Sequence, residues 1–333
     1  MKFGPVPLSE AEGAILAHAI RIDRIALKKG EVMTAERCKA LAAVGVNEVV
    51  AARLEEGDVR EDEAARLLAS RIAGANVRCA PAFTGRVNLF AEKAGLALVT
   101  ADAIDMANAM DESITIATLP NCRAVADGDM VATVKIIPFS TRGDLLAAAL
   151  QAMEPGAVAV APFRPLKIAV ASTLLPGLKA SVVSKTVRAL EARLAPTGAT
   201  VVAHETTPHD VAPLCEVLQR LTPLANVVVV FGASAITDRR DVIPAAIEAV
   251  GGRIERFGMP VDPGNLLLLA SKGETTIVGA PGCARSPKEN GFDWILQRVI
   301  AGVPTSDADI RAMGVGGLLM EIASRPQPRD PHE

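Results

Sequence analysis

One stretch of the sequence, FGASAITDRRDVIP at residues 231–244, concentrates side chains with the chemistry of an anion or metal site. Asp238 and Asp241 carry carboxylates of the kind that hold Mg²⁺ together with phosphate oxygens. Gly232 lets a ligand approach the backbone, and Ser234 adds a hydroxyl. The alternative is that one aspartate caps the following helix while the arginines are solvated. That alternative leaves the second aspartate unexplained.

A second stretch, ASTLLPGLKASVVSKT at residues 171–186, combines hydroxyls and a lysine with the start of a helical pattern. Backbone N–H groups at a helix N-terminus, supported by hydroxyls, favour a phosphate. The candidate phosphate-binding residues here are Ser172, Thr173, Ser184 and Lys185. Ordinary N-capping of the helix by Ser181 is an equally open interpretation.

Two further loops are rich in glycine and proline. GMPVDPGN at residues 258–265 suggests a pocket wall with Pro263 and Gly264, although a plain turn explains this loop as well. GAPGCARSPKENG at residues 279–291 suits an anionic group. Its candidate binding residues are Pro281, Gly282, Ser286 and Lys288, with Arg285 beside them. Cys283 lies in the same loop, and packing explains it better than a thiolate role does.

The elements that must position these loops alternate regularly from residue 166 onward. Strand patterns such as KIAVAS and NVVVVFGA are apolar on both faces and are separated by helical patterns of ten or more residues. This alternation predicts an α/β fold with a doubly wound, mostly parallel sheet that helices cover on both sides. Ligands of such sheets bind at the carboxyl ends of the strands. We therefore expect the four loops to lie at one edge of the sheet.

The first part of the chain, residues 1–160, predicts a mixed α+β domain. TAERCKALAAVGV is helical by its apolar spacing, with Thr34 as the expected N-cap. DVREDEAARLLASRIAG predicts a second helix that opens on a capping box formed by Asp58 and Glu61 and closes at Gly74.

Domain boundaries follow from these patterns. The proline-rich stretch at residues 154–166 is the expected connection between the first domain and an α/β domain at residues 166–305. Residues 306–333 predict a short helix followed by a polar, proline-rich and disordered tail.

Composition excludes several classes of protein. The net charge of −3 offers no basic face for nucleic acid, and the chain has one Trp and no Tyr on which bases could stack. The apolar runs fall well short of the ~18 residues of a membrane helix, and the N-terminus does not look like a secretory signal. Five scattered cysteines without a CxxC pair indicate reduced thiols, so we expect a cytoplasmic protein without a zinc cluster.

The order of the four loops resembles the molybdopterin-binding domain of molybdenum-cofactor biosynthesis proteins. This domain is shared by molybdopterin adenylyltransferases, molybdenumtransferases and gephyrin. Gly232, Ser234 and Asp241 match a glycine- and hydroxyl-rich loop that precedes an Asp-Val-x-Pro helix start. The DPGN and APGCARSP segments match the two proline-glycine loops that follow, and the resemblance covers roughly residues 166–303.

This sequence has two more residues between Gly232 and Asp241 than the family pattern, and it departs from that pattern in three further places. Phe231 replaces the first glycine, Cys283 replaces an asparagine, and ASTLLPG stands where the family has Thr-Gly-Asp-Glu. These departures weaken the expectation of adenylyl transfer or molybdate insertion more than the expectation of pterin binding.

The resemblance implies a protein that binds molybdopterin, or a nucleotide form of it, during molybdenum-cofactor assembly. If it is an enzyme, it is a transferase in which Asp241 and Asp238 act as catalytic residues, hold Mg²⁺ and orient a phosphate of ATP or CTP. The alternative is a non-catalytic pterin carrier that serves a nucleotidyltransferase or a molybdoenzyme. Relatives of this domain commonly self-associate, which implies a homo-oligomer. An NAD(P)-dependent oxidoreductase is disfavoured, because no G-x-G-x-x-G follows the first strand of the α/β region.

Overall fold

The computed structural model describes residues 1–177 and 180–319. The chain divides into two compact units. The first consists of residues 1–93 and 97–160, and the second of residues 94–96 and the described residues from Ala161 onward.

The first unit is rich in short strands. Its helices are α1 (Ala35–Ala43), α2 (Glu61–Ile72), α3 (Ala101–Met110) and α4 (Gly143–Ala152). The strands of this part of the chain are β1 (Lys2–Pro7), β2 (Ile15–Leu16), β3 (Ile20–Ile22), β4 (Ile25–Leu27), β5 (Glu48–Arg53), β6 (Asp58–Arg60), β7 (Val77–Cys79), β8 (Arg86–Ala91), β9 (Gly95–Val99), β10 (Ile114–Thr118), β11 (Arg123–Val125), β12 (Met130–Ile136), β13 (Ser140–Arg142) and β14 (Val158–Pro162). Strand β14 lies inside the segment predicted as the interdomain connection, and the division between the two units falls within it.

Antiparallel pairing dominates the first unit. One sheet has the order β10-β12-β8-β7, and another has the order β1-β5-β2. Helix α2 supplies a buried face to the core that contains β8 and β12, because its apolar residues recur every three or four positions. The mixed α+β class predicted for this part of the chain is confirmed.

The two helices predicted in detail for this unit differ in outcome. Helix α1 starts after Thr34 as expected, and the Thr34 hydroxyl accepts a hydrogen bond from the Arg37 amide at 3.3 Å. The capping box predicted for α2 is wrong. Asp58 lies in β6 and accepts from the Glu55 amide at 2.8 Å, while α2 begins at Glu61 without a side-chain cap.

The predicted end of α2 agrees with the structure, since the helix ends at Ile72 and Gly74 follows the C-cap residue Ala73. Gly74 has no positive φ, and α2 ends in extended backbone at Ala73. A Cβ at Gly74 would lie 2.8 Å from the Gly156 carbonyl oxygen. The glycine is therefore explained by close approach of two backbone segments rather than by the end of a helix.

The described residues of the second unit form a six-stranded sheet, here called the main sheet. Its strands are β15 (Lys167–Leu174), β16 (Thr200–Pro208), β17 (Val227–Phe231), β18 (Arg253–Phe257), β19 (Leu268–Lys272) and β20 (Thr275–Ala280), and the helices of this unit are α5 (Ala180–Leu194), α6 (Val211–Leu221), α7 (Val242–Ala249), α8 (Gly291–Ala301) and α9 (Asp307–Arg311). The strand order is β16-β15-β17-β20-β19-β18. The first four strands are parallel, and β19 runs antiparallel to both of its neighbours. The predicted doubly wound, mostly parallel sheet is confirmed.

Helices cover both faces of the main sheet. Alternate residues of β15 and β17, such as Val170 and Val229, pack with α5 and α8. Their neighbours on the opposite face, such as Ala171 and Val230, pack with α6 and α7. All five residues of β17 are buried, which explains its unbroken apolar sequence.

The end of the described chain contains α9, which begins with Ser306 as its N-cap and a capping box to Asp309. The polar, proline-rich tail predicted to be disordered, at residues 324–333, lies outside the described residues. No helix within the described ranges is long and apolar enough to cross a membrane.

Candidate functional site

Four loops lie at the carboxyl edge of the main sheet. They follow β15, β17, β18 and β20, and the last three span residues 232–241, 258–267 and 281–290. Strand β18 is antiparallel to β19, and β19 is antiparallel to β20, so β18 points in the same direction as the parallel strands. The four candidate loops therefore emerge at the same edge, as the alternation of strands and helices predicts.

The loop after β17 needs glycine at its first position. A Cβ on Gly232 would lie 2.6 Å from the Ser234 carbonyl oxygen and 2.9 Å from Ile243 Cδ1. The turn therefore folds back on itself too tightly for any other residue. Ser234, two residues further on, is exposed.

The two aspartates of this loop both have partners within the loop. Asp241 is the N-cap of α7: one oxygen accepts from the Val242 amide at 2.7 Å and the other from the Thr237 amide at 3.3 Å. Asp238 pairs with Arg240 Nε at 2.8 Å, and this guanidinium lowers the pKa of the Asp238 carboxyl to about 2. The helix cap thus accounts for Asp241, and an exposed ion pair accounts for Asp238. Among the described residues no group of three or more His, Cys, Asp or Glu side chains could hold a metal ion.

The end of β15 contributes two buried hydroxyls. Ser172 Oγ lies 3.2 Å from His204 Nε2, and Thr173 Oγ1 lies 2.8 Å from His209 Nδ1. The Thr173 hydroxyl also accepts from the Ala233 amide at 2.8 Å. Thr173 therefore ties the loop after β17 to the ends of β15 and β16.

The two histidines were missed as site residues, because their positions in the sequence show no regular spacing. They meet Ser172 and Thr173 through the parallel register of β15 and β16, which sets Val170 opposite His204 and Thr173 opposite Thr207, and no local pattern in the sequence gives this register. Partial burial lowers the pKa of the His204 imidazole.

The start of α5 holds the other candidates of the first loop. Ser184 and Lys185 are exposed on the second turn of the described helix. Ser181 lies inside α5, so its interpretation as the N-cap is wrong. Thr186, one residue further on, is buried and donates its hydroxyl hydrogen to the Val182 carbonyl at 2.9 Å.

The loop after β18 packs against the start of α8. The Pro263 carbonyl accepts from the Gly291 amide at 2.8 Å. Gly264 has a φ of +141°, and a Cβ there would lie 2.8 Å from both the Cα and the amide nitrogen of Gly291. Gly264 is therefore required for contact between two backbones, and Pro263 is half-buried beside it.

The loop after β20 is held by a buried arginine of α5. Arg193 Nε donates to Asp293 at 2.6 Å, and Arg193 Nη2 donates to the carbonyls of Ser286 and Lys288. Burial raises the pKa of the Asp293 carboxyl, while the Arg193 guanidinium acts in the opposite direction. Asp293 also forms a capping box with Asn290 at the start of α8.

The remaining candidates of this loop lie around that anchor. Pro281 is buried, whereas Gly282 and Lys288 are exposed. The Ser286 hydroxyl accepts from the Lys288 amide at 3.3 Å. The loop is thus a firmly held turn that presents a lysine to solvent.

A pocket opens between the end of β15, the first turns of α5 and the loop after β20. It has about 210 Å³ of empty space, open solvent included, and is lined by Ser172, Thr173, Leu174, Val182, Val183, Thr186, Phe231 and Arg285. The pocket brings together two of the predicted binding residues, Ser172 and Thr173. Neither Asp238 nor Asp241 contributes to its lining.

Residues 168–301 match the family model described as a probable molybdopterin binding domain. Over these residues the chain is similar to molybdopterin-binding domains. The match spans β15 to α8, which is the part of the chain that forms the main sheet and its four loops. The resemblance expected from the sequence is confirmed. Separately, residues 5–53 match a model described as a domain of unknown function.

The comparison with solved structures also finds similarity to two proteins of molybdopterin biosynthesis. A molybdopterin biosynthesis MoeA protein from Pyrococcus horikosii is 14% identical, covering 90% of this chain and 75% of that chain at a TM-score of 0.33. A molybdopterin biosynthesis enzyme MoaB from Thermus thermophilus is 15% identical, covering 42% of this chain and 98% of that chain at a TM-score of 0.29. A search of curated proteins finds no match to this chain.

Proposed function

We propose that residues 168–301 bind molybdopterin, or a nucleotide form of it, at the carboxyl edge of the main sheet, as a step in molybdenum-cofactor biosynthesis. One observation carries the proposal: the residues that match the molybdopterin-binding family model are those whose four loops meet at that edge. Ligands of open α/β sheets bind outside the carboxyl ends of the strands. The match and the topology therefore point to the same surface.

The charges at this edge support an anionic ligand. Lys185, Arg285 and Lys288 lie on or beside the loops after β15 and β20, and molybdopterin carries a phosphate. The proposed binding residues are Ser172, Thr173, Ser184, Lys185, Gly232, Ser234, Pro263, Gly264, Pro281, Gly282, Ser286 and Lys288. Gly232 and Gly264 would act through the backbone paths that they permit.

The size of the pocket limits how the ligand would bind. The space of about 210 Å³ includes open solvent, so the part of the pocket that could enclose a ligand is smaller than this figure. One group of the pterin would therefore occupy the pocket, and the rest would lie across the neighbouring loops.

Binding without catalysis fits the aspartates better than Mg²⁺-dependent transfer does. A metal at Asp238 would have to displace Arg240, and a metal at Asp241 would compete with two backbone amides. The proposed role is therefore that of a pterin carrier, whose acceptor would be a nucleotidyltransferase or a molybdoenzyme.

Transfer from ATP or CTP remains the second candidate, with Mg²⁺ held by Asp241 and Asp238. The observation in its favour is that both carboxylates belong to one turn, in which the Asp241 amide donates to the Asp238 carbonyl at 3.1 Å. The low pKa of Asp238 also keeps that carboxylate ionised at neutral pH.

One experiment separates the two candidates. Calorimetric titration with molybdopterin, without oxygen because its sulfurs oxidise, measures binding, and Mg²⁺-dependent turnover of ATP and CTP measures transfer. Binding without turnover supports the carrier. Turnover that Asp241→Ala abolishes supports transfer, and absence of pterin binding refutes the proposal as a whole. Light scattering on the same sample tests the proposed homo-oligomer.

A further inference from the structure

Arg285 occupies an unusual position at the pocket. It is the one charged side chain among the described residues that line the pocket, where it lies with Phe231, Val182 and Val183. Its Nη2 donates to the Gly232 carbonyl at 2.6 Å. Partial burial lowers the pKa of the guanidinium, which nevertheless stays protonated at neutral pH. The pocket is therefore positively charged.

Within residues 1–177 and 180–319, Arg285 has no carboxylate partner of the kind that a half-buried arginine usually has. Buried charges in proteins are normally paired, because desolvation of an unpaired ion is costly. Among the residues that the structure describes, no ion pair includes Arg285 and no carboxylate lines the pocket. Gly232 uses one of five N–H donors. The rest of the planar guanidinium matches the geometry of a phosphate or carboxylate, which it binds through two parallel hydrogen bonds.

The neighbouring hydroxyls favour the same conclusion. The Thr186 hydroxyl hydrogen is used by the Val182 carbonyl, and the Thr173 oxygen already accepts from the Ala233 amide. Ser172 shares its hydroxyl with His204. Arg285 is therefore the strongest hydrogen-bond donor that the described lining offers to an anion.

We propose that Arg285 is the phosphate-binding residue of this domain, and that a phosphate monoester enters the pocket and binds the guanidinium N–H groups that the Gly232 carbonyl leaves unused. The proposal rests on the proposed function in one respect: it identifies the phosphate as the group of the pterin that occupies the pocket. The bond between Arg285 and Gly232 joins the loops after β20 and β17, and it holds the guanidinium in place before the ligand arrives.

The test uses inorganic phosphate and molybdopterin as separate probes of the full chain. Arg285→Met removes the charge and the donors at similar length, and Arg285→Lys keeps the charge without the planar pair of donors. Arg240→Met is the matched control, because Arg240 lies at the same edge but is exposed and paired with Asp238. Calorimetry at constant ionic strength measures both ligands, and circular dichroism checks the fold.

We expect Arg285→Met to weaken binding of both probes by roughly 10- to 100-fold, the effect of losing charge-assisted hydrogen bonds. Arg285→Lys should weaken binding less, and Arg240→Met should leave it within about twofold of the unmodified chain. If Arg285→Met does not fold, Arg285→Lys decides the matter through its loss of phosphate affinity.

The outcomes for the two proposals differ. Equal molybdopterin binding by the unmodified chain and Arg285→Met overturns the role of Arg285 and leaves the proposed function standing. In another outcome, phosphate binding depends on Arg285 while molybdopterin binds no more tightly than inorganic phosphate. That result supports the phosphate site and overturns the proposed function. Failure to bind either probe overturns both.

Discussion

Replacement of Arg193 by methionine should destabilise the second unit strongly. Arg193 and Asp293 are 8% and 11% exposed at their side chains, and the two are 2.6 Å apart. The change leaves the Asp293 carboxylate buried without its cation. It also removes a donor from the carbonyls of Ser286 and Lys288. Breaking a buried pair by removal of one partner costs about 3–5 kcal/mol, and we expect a loss of that size.

Urea unfolding followed by tryptophan fluorescence measures this effect directly. Trp294 is the only tryptophan of the sequence and lies in α8, next to Asp293, so its emission reports on the second unit. The matched control is Arg220→Met, because Arg220 forms an exposed ion pair with Glu205 in the same unit. We expect the control to lose less than about 1 kcal/mol.

The pH dependence of Arg193→Met provides a second test. Burial already raises the pKa of Asp293 above its ordinary 3.8, and loss of Arg193 should raise it further. A carboxyl whose pKa is higher in the folded than in the unfolded state lowers the free energy of unfolding at every pH at which this carboxyl is ionised in the unfolded chain. This cost disappears as the pH falls through the folded pKa towards 3.8. The difference in the free energy of unfolding between the unmodified chain and Arg193→Met should therefore become smaller as the pH falls from neutral to 4.

Two results would refute this reasoning. A loss no larger than that of Arg220→Met would mean that the buried pair contributes no more than a surface pair. A loss in the free energy of unfolding that stays constant with pH would mean that Asp293 does not carry an uncompensated charge in Arg193→Met. Arg193→Met/Asp293→Asn, which removes both charges, should recover part of the lost stability.

Three further changes test the loops of the site, each by the same fluorescence-detected unfolding. Gly264→Ala should lower the free energy of unfolding by about 1–3 kcal/mol, because the new Cβ would meet the backbone of Gly291 at 2.8 Å. The control is Gly282→Ala, which should lower it by less than about 0.5 kcal/mol, because a Cβ there has no described atom within 4 Å. Thr173→Val should cost about 1–3 kcal/mol, because it leaves the Ala233 amide without its partner, and an unchanged midpoint would contradict this role. Asp241→Ala should cost about 1 kcal/mol through loss of the α7 cap, whereas Asp241→Asn should be nearly neutral, and equal losses in both would argue against capping.

Local patterns in the sequence were sufficient for the class of the fold and for the edge of the sheet at which the loops lie. Strands β15, β17 and β20 are apolar on both faces, and helices of suitable length separate them, so the parallel sheet follows from periodicity alone. The N-cap at Thr34 is equally local, because the hydroxyl and the amide that it binds are three residues apart. The prediction for α2 failed at its start, where the spacing of Asp58 and Glu61 imitates a capping box although Asp58 belongs to a strand.

The partners of the site residues were decided only by the tertiary structure. Arg193 and Asp293 are 100 residues apart, and Arg285 binds the carbonyl of a glycine 53 residues before it. Thr173 lies beside His209 because of the register between β15 and β16. Periodicity in a sequence shows which face of a strand or helix is buried, since that depends on neighbours a few residues away. It does not show which distant side chain lies opposite, because register, strand order and the packing of helices on the sheet set that position.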